Sequence, residues 1–372
     1  MSNRWISEGK ARFQIGKSFY RPKSKLTRDL GILAAAVLRQ QHGELQVLDA
    51  LTGCGVRSLR YALEANADFL WVNDGNPELK DLITGNLSSQ LRPDQFRLSF
   101  LSMQKLLARF IDQGHRFNWV DLDCFGTPMA SLTMAIAVTK IGGCLYLTAT
   151  DGKSLSGQQS SQALRHFYAY TRHHPAVHEQ GVRVLAGAAI YQARQQGFNL
   201  EPLFSFFCGQ TYRVLLRLQP QSPPADQDYG FLGYCHHCGQ FQTVGWRSLN
   251  RSVCPRHPEP NYLSLSGPMW LGPLHSGAFI DQMTQLAEQW TWLAPSQLLE
   301  RMQTEATMPP YYYPLAEVGA RGRMDIPPKD LLISTLKEQG FRACESSLFL
   351  AAIKTDAPLN EVLQLAKGLI RP

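Results

Sequence analysis

Two acids lie at the end of a short apolar run that leads into a turn. Residues 119–128 read WVDLDCFGTP, with Asp121 and Asp123 before a glycine–proline turn. The apolar residues suit the end of a buried strand, so Asp123 and Phe125 fall at the carboxyl edge where open α/β sheets bind ligands. Such a corner can accept the protons of an exocyclic amine and stack on its ring. The alternative is a β-turn whose Asp bonds its own backbone.

A glycine turn upstream is a candidate cofactor site. Residues 49–57 read DALTGCGVR, in which Asp49 lies near the end of a strand candidate and Arg57 near the start of a helix candidate. Gly53 and Gly55 let the backbone turn tightly and approach a ligand. A dinucleotide fingerprint would place a third glycine at position 58, where this chain has serine.

Asp74 ends the next strand candidate, where an acid can accept both hydroxyls of a ribose. Its alternative role is an Asx turn with Asn76. Together the glycine turn and Asp74 suit S-adenosylmethionine as well as NAD. An NAD-dependent oxidoreductase therefore remains open, although it would leave the corner at Asp123 without a purpose.

Three of the eight cysteines cluster in a metal-binding pattern. Cys235 and Cys238 flank two histidines, and the sequence CPRH downstream contains Cys254 and His257. This spacing is close to zinc-ribbon patterns and predicts a site within about residues 233–258. A closed Cys3His shell leaves no water to activate, so a structural zinc is expected.

The elements that must position these residues alternate between strand and helix over residues 30–150. This alternation predicts a Rossmann-like α/β fold, with a parallel sheet covered by helices on both faces. A helical stretch follows at about residues 164–196, and residues 211–218 read as a late, antiparallel strand. The predicted strands of the alternating region are residues 45–50, 69–74, 96–101, 119–122 and 143–150, with helices at about 56–65 and 77–91.

A proline-rich stretch at residues 219–226 predicts a linker between two domains. Residues 1–220 would form the first domain, which begins with a basic N-terminal arm. Residues 221–372 would form a C-terminal α+β domain that carries the zinc knuckle, with helices near residues 279–292 and 295–304. At 372 residues the chain is long enough for two hydrophobic cores.

The overall charge of +7 and the pI of about 9.0 fit a polyanionic partner. Residues 4–28 interleave basic and aromatic side chains, which fits contacts with phosphates and bases; the alternative is a solvated arm. No apolar run approaches the ~20 residues of a membrane span, and the N-terminus lacks a signal-peptide apolar region. A cytoplasmic protein without membrane contact is expected.

In this order the motifs resemble those of the tRNA guanine-26 N2-dimethyltransferase family, over nearly the whole chain. The corner at residues 121–128 is similar to the family's DIDPFGSP, and residues 148–151 match its TATD. Other similar segments are residues 8–10 (EGK), 19–22 (FYRP), 27–30 (TRDL), 272–275 (GPLH), 310–313 (PYYY) and 353–358 (IKTDAP).

The resemblance implies methyl transfer from S-adenosylmethionine to N2 of a guanine in tRNA, at position 26, once and then again. It implies that Arg28, Arg57 and Asp74 hold the methyl donor and that Asp123 is the catalytic acid. Phe125 would pack on the base, and a C-terminal domain peculiar to the family would grip the tRNA. No obligate protein partner is expected.

Three departures from the family pattern accompany the resemblance. Cys124 replaces a proline after the catalytic Asp, and the acid expected after the third strand is replaced near residues 102–103. The family's SRTHFDPTG run has become CESSLFLAA at residues 344–352. Two rival functions follow, namely methylation of another RNA base or position, and tRNA binding without catalysis.

Overall fold

The computed structural model describes residues 4–221, 228–257, 259 and 261–370. The strands are β1 (Trp5–Glu8), β2 (Ala11–Gln14), β3 (Gln46–Asp49), β4 (Phe69–Asn73), β5 (Phe96–Ser99), β6 (Phe117–Leu122), β7 (Thr139–Ala149), β8 (Phe198–Cys208), β9 (Thr211–Pro220), β10 (Tyr229–Tyr234), β11 (Phe241–Val244), β12 (Ser264–Trp270), β13 (Tyr313–Pro314), β14 (Ala343–Glu345) and β15 (Ala352–Thr355). The α-helices are α1 (Lys25–His42), α2 (Val56–Leu63), α3 (Lys80–Ser88), α4 (Met103–Asp112), α5 (Met129–Ala137), α6 (Gly152–Leu155), α7 (Ser160–Phe167), α8 (Val177–Gln195), α9 (Gly277–Gln289), α10 (Leu293–Glu305), α11 (Leu315–Gly322), α12 (Lys329–Glu338) and α13 (Leu359–Leu369).

A seven-stranded sheet with the order β5-β4-β3-β6-β7-β9-β8 forms the centre of the molecule. The pairs among β5, β4, β3, β6 and β7 are parallel, whereas β9 runs antiparallel to both of its neighbours. Helices connect the parallel strands, and the strand order reverses between β3 and β6, an arrangement that puts helices on both faces. The predicted Rossmann-like α/β fold and the late antiparallel strand are confirmed.

Two features of residues 164–208 differ from the sequence prediction. The helical stretch is broken, because α7 ends at Phe167 and α8 begins at Val177, two residues after Pro175. The edge strand β8 was not predicted. Its pairing with β9 shifts register between Pro202 and Phe204, and a proline in a bulged edge strand hides the usual strand pattern.

The N-terminal segment packs against the fold through its apolar residues, while its basic side chains other than Arg28 are exposed to solvent. Strands β1 and β2 form a hairpin in which Ala11 and Phe13 are buried. The buried carboxylate of Glu8 accepts hydrogen bonds from Arg28 Nε at 2.7 Å and from Arg60 Nη1 at 2.9 Å. The hairpin is thereby joined to α1 and α2, and Arg28, at the start of α1, is buried rather than free for RNA.

The C-terminal half builds two small sheets, β11-β10-β12 and β13-β15-β14. One hydrophobic cluster nevertheless continues from the central sheet into this half and includes α9 and α10, which lie against α1. Lys354 of β15 is buried, and its Nζ lies 2.9 Å from Glu179 Oε1 of α8. Residues 222–226 of the predicted linker lie outside the described residues, so the division at residue 220 stays a prediction.

No helix in the described ranges has the length and apolarity needed to cross a membrane.

Candidate active site

A cavity of about 660 Å³ opens at the carboxyl edge of the parallel strands, beside β3 and β6, where the strand order reverses. Its size is within the range of small-molecule sites. Four of the predicted cofactor residues and both predicted catalytic residues line it. They are Arg28, Gly53, Arg57, Asp74, Asp123 and Phe125.

The glycine turn between β3 and α2 forms one wall of the cavity. Gly53 has φ of 60° and Gly55 has φ of 85°, a conformation in which a side chain is strained. A Cβ atom on Gly53 would also lie 3.2 Å from the carbonyl oxygen of Phe19. Glycine at this position is therefore required both by the turn and by the close approach of the N-terminal segment.

Asp74 and Asp49 hold this turn from opposite sides. Asp74 lines the cavity, and its two carboxylate oxygens accept hydrogen bonds from the backbone N–H groups of Gly53 and Asn76, both at 2.9 Å. The Asx turn considered as an alternative for Asp74 is therefore present. Asp49 is fully buried behind the turn, where it accepts hydrogen bonds from Thr52 and Ser58, and it does not line the cavity.

Asp123, directly after β6, lies between two buried arginines. Arg213 Nη2 of β9 is 2.7 Å from Asp123 Oδ1, and Arg57 Nη1 bonds Asp123 Oδ2. Arg57 Nη2 also donates to the carbonyl oxygen of Leu51 at 2.8 Å. Both guanidinium groups are thus fixed against one carboxylate, whose side chain keeps 31% of its surface exposed to the cavity.

The two acids of the corner are pushed in opposite directions by their surroundings. Burial would raise the pKa of Asp123, but the charges of Arg213 and Arg57 outweigh it and hold this pKa well below its ordinary value. Burial dominates for Asp121, whose pKa is raised despite the same two arginines. Tyr61 Oη donates to Asp121 Oδ2 at 2.8 Å from within the core. Asp123 is therefore the ionised acid that faces the cavity.

Two aromatic rings stand at the mouth of the cavity. Phe125 is 77% exposed and Phe19 is 65% exposed, and their ring centroids are 5.3 Å apart in an edge-to-face arrangement. Such exposure of large apolar rings is costly in water and indicates a ligand surface. Gly126, next to Phe125, is tied to the end of β7 because its N–H donates to Thr150 Oγ1 at 2.7 Å.

Arg28 lines the cavity, but its guanidinium is already bonded on one side. Nε and Nη2 donate to the two oxygens of Glu8, and the group lies 5.0 Å from the ring centre of Tyr20. Arg28 therefore brings a fixed positive charge to the wall formed by the N-terminal segment.

The four predicted zinc ligands come together in the C-terminal half. One ligand atom from each of Cys235, Cys238, Cys254 and His257 lies within 4.8 Å of the others. Cys235 Sγ is 3.4 Å from His257 Nε2, and Cys238 Sγ is 3.6 Å from Cys254 Sγ. A tetrahedral zinc shell separates neighbouring ligand atoms by roughly 3.5–3.8 Å. The Cys3His cluster fits a structural zinc ion.

Comparison with known proteins identifies the family. A model of the N2,N2-dimethylguanosine tRNA methyltransferases matches residues 5–367. The chain belongs to this family. A tRNA (guanine(26)-N(2))-dimethyltransferase from Thermococcus kodakarensis is 30% identical over an alignment that covers 98% of this chain and 99% of the relative. A protein of the same name from Pyrococcus abyssi is 28% identical, with coverage of 97% and 99%.

A solved structure shares the fold over the whole length. It is Trm1 from Pyrococcus horikoshii in complex with S-adenosyl-L-methionine, with a TM-score of 0.85 and 26% identity. The match covers 97% of this chain and 99% of that chain. The N2,N2-dimethylguanosine tRNA methyltransferase fold therefore extends through both halves of the molecule.

Two of the departures from the family pattern, Cys124 and the run at residues 344–352, make specific contacts in the structure. Cys124 Sγ lies 3.7 Å from the carbonyl oxygen of Thr148, and burial raises the pKa of this thiol to about 12. In the altered run at residues 344–352, Ser347 donates to Glu305 through its N–H at 2.9 Å and also through its hydroxyl. The run is thus bonded to the inner end of α10 instead of projecting freely.

Sequence reasoning missed Arg213 and did not assign Phe19 to the cavity. A basic residue in the apolar alternation TYRVLLRL of β9 was the available signal for Arg213, because a buried arginine requires an acid nearby. For Phe19 no spacing gives the signal, since only the fold brings residue 19 beside residue 125.

Proposed function

We propose that this chain transfers methyl groups from S-adenosylmethionine to N2 of a guanine in tRNA, at position 26, first once and then a second time. The observation that carries the proposal is Asp123, an ionised acid that faces the same cavity as Asp74 and stands beside two exposed aromatic rings. The family to which the chain belongs and the full-length relatives support it.

The residues present fit the methyl donor. A carboxylate offers about four acceptor positions, and Asp74 uses one on each oxygen for the turn, so two remain for the hydroxyls of a ribose. The backbone at Gly53 admits close approach, whereas Gly55 shapes the turn without lining the cavity. Arg28 and Arg57 bring positive charge to the wall, which suits a carboxylate. Asp49 acts from behind by holding the turn. When bound, S-adenosylmethionine supplies the methyl group as an electrophile.

Asp123 would recognise the base in the remaining part of the cavity. Its two oxygens each hold one arginine, which leaves acceptor positions for the N1 and N2 protons of guanine. Phe125 and Phe19 would contact the faces of the base. Because N2 of a paired guanine is not accessible to such a pocket, the nucleotide must be turned out of the stem. Alignment of amine and methyl donor then supplies much of the rate.

The remaining assignments are extensions of this proposal. Residues 1–220 would carry the methyltransferase site, and residues 221–372, with their zinc cluster, would bind the tRNA. The enzyme would act in the cytoplasm, where tRNA is available.

The deciding experiment compares Asp123→Ala with the wild type on unmodified tRNA, followed by nucleoside mass spectrometry. We expect N2-methyl- and N2,N2-dimethylguanosine from the wild type, and a loss of about a hundredfold or more in rate for the variant, with cofactor and tRNA affinity retained. Asp112→Asn, at the exposed end of α4, is the control and should behave as the wild type. Full activity of Asp123→Ala would refute the role of this acid. Methylation of another base would reassign the pocket.

A further inference from the structure

A strip of basic and aromatic side chains follows β7. Residues 152–178 contain no Asp or Glu. Lys153, Arg165 and Arg172 are exposed, and none of them forms an ion pair with any residue that the structure describes. Basic side chains without acidic partners are available to phosphates and account for most non-specific binding to nucleic acids. With the rings of Tyr168 and Tyr170 these three residues are called the basic strip.

One end of the basic strip joins the catalytic corner. Thr150 lines the cavity, and the N–H groups of Thr150 and Asp151 donate to the carbonyl oxygen of Gly126 at 2.8 and 3.2 Å. His166 Nδ1 of α7 lies 2.9 Å from Asp151 Oδ2. Helix α7, which carries Arg165, is therefore fixed directly to the turn that holds Phe125.

The other end joins the sheet that carries the zinc cluster. The backbones of Tyr170 and Gly267 exchange two hydrogen bonds of 2.7 and 2.9 Å, and the N–H of Arg172 donates to Ser266 Oγ at 2.9 Å. Gly267 and Ser266 belong to β12, which pairs with the strand that leads to Cys235. The basic strip thus spans the interval between the catalytic corner and the zinc sheet.

Tyr168 combines a left-handed backbone conformation with an exposed side chain. It ends α7 with φ of 56° and ψ of 27°, where glycine is the usual residue, and its ring is 57% exposed. A large residue held in this region is strained, and such strain concentrates at functional sites. Tyr170 is 39% exposed, and the guanidinium of Arg172 lies 4.8 Å from its ring centre. Aromatic rings and arginine planes are the groups on which unpaired bases stack.

We infer that the basic strip binds the tRNA beside the target guanosine. Lys153, Arg165 and Arg172 bind backbone phosphates, and Tyr168 and Tyr170 stack on nucleotides exposed when the target base is turned out. The inference rests on the proposed function, because the partner is that reaction's tRNA. It assigns to the methyltransferase half a tRNA-binding surface that continues toward the zinc sheet.

A charge variant tests the binding of phosphates. In the double variant Arg165→Ala/Arg172→Ala we expect the Kd for tRNA to rise about tenfold. The negative slope of the log association constant against log salt concentration should become shallower by about two, roughly one for each phosphate that is no longer neutralised. The affinity for S-adenosylmethionine should not change. The matched control is Arg97→Ala/Arg116→Ala, two exposed arginines on β5 and before β6, which should retain the wild-type salt slope.

Tyr168→Gly tests the ring with opposite expectations for stability and function. Glycine relieves the strained conformation, so the Tm should stay the same or rise. Loss of the ring should lower kcat/KM for tRNA by about fivefold or more, mainly through KM, because the variant cannot stack on a base. Tyr168→Phe keeps the ring and should restore the wild-type value.

The basic strip and the proposed function can be refuted separately. If the wild type methylates tRNA while both variants bind and methylate it as the wild type does, the basic strip is refuted and the proposed function stands. If the wild type transfers no methyl group to tRNA, the proposed function fails. In that case, loss of tRNA binding in the double variant but not in its control would still support the basic strip.

Discussion

Asp123 is a carboxylate whose charge is already balanced before any substrate binds. Arg57 and Arg213 fix both of its oxygens and hold its pKa well below the ordinary range, against the effect of burial. An acid of this kind is a poor acceptor of a proton but a strong acceptor of hydrogen bonds. Under the proposed function, Asp123 therefore orients the amine and stabilises developing positive charge.

Arg213 is expected to act through Asp123 as a positioning residue. In Arg213→Gln one of the two opposing charges is removed, so the pKa of Asp123 should rise from its depressed value. Because the ionised form is the one that binds the amine, activity is lost as the pH falls through this pKa. The acid limb of the profile of log kcat/KM against pH should therefore move to higher pH, so that the loss relative to the wild type is largest at the acid end.

Arg217→Gln on the same strand is the control for this experiment. The Arg217 guanidinium bonds Gln41 at 3.0 Å and lies over the ring of Phe279, away from the corner. Its acid limb should stay in place. An Arg213→Gln profile that is lowered equally at every pH would contradict the assigned role and indicate a purely structural one.

The buried carboxylate of Glu8 ties the N-terminal hairpin to two helices. Glu8 bonds Arg28, Arg60 and Tyr20, and so connects β1 with α1 and α2. Removal of one partner from a buried ion pair leaves an uncompensated charge and costs about 3–5 kcal/mol. We expect Glu8→Gln to lower the free energy of unfolding by about this amount in denaturant titrations.

The effect of Glu8→Gln should depend on pH in a defined direction. Burial would raise the pKa of Glu8, but Arg28 and Arg60 outweigh it and lower this pKa. The ionised carboxylate therefore stabilises the fold fully above the pKa of an unfolded glutamate, about 4.3, and loses this contribution as the pH falls through the folded value. The difference between wild type and variant should shrink below about pH 4.

Glu44→Gln is the matched control for the hairpin. Glu44 pairs with Lys140, and the two side chains are 51% and 30% exposed, so this pair should contribute no more than about 1 kcal/mol. Equal losses of stability in Glu8→Gln and Glu44→Gln would refute the role of the buried acid.

The two halves of the molecule share one hydrophobic core, whereas the zinc ligands pack in a separate, smaller one. Cys235 and Cys254 pack with Val244 and Leu263 in a small separate cluster. So small a core does not hold a fold without support, and a metal ion is the usual support. We therefore expect the zinc sheet to depend on the metal more than the methyltransferase half does.

Cys254→Ser tests this dependence. The variant should lose about one equivalent of zinc by elemental analysis and weaken tRNA binding about tenfold, while S-adenosylmethionine still binds. His237→Ala is the control, because His237 lies between the first two cysteines and is not one of the four converging residues. Zinc lost from both variants would reassign the ligands, and zinc retained in Cys254→Ser would refute the site.

Several features of the protein could be predicted from local sequence patterns alone. Alternating apolar runs that end in Asp49, Asp74 and Asp123 predicted parallel strands with acids at one edge, because strand period and turn residues are local properties. The close spacing of the zinc ligands made that cluster predictable in the same way. The motifs, in their order, indicated the family.

The tertiary structure decided what local patterns do not contain. Arg213 meets Asp123 because β9 returns antiparallel beside β7, and Phe19 meets Phe125 because the hairpin packs against the glycine turn. Asp49 was expected at the cofactor, but its buried carboxylate lies behind the turn, where it accepts hydrogen bonds from Thr52 and Ser58. Such pairings depend on long-range burial of charge and apolar surface, which only the assembled fold satisfies.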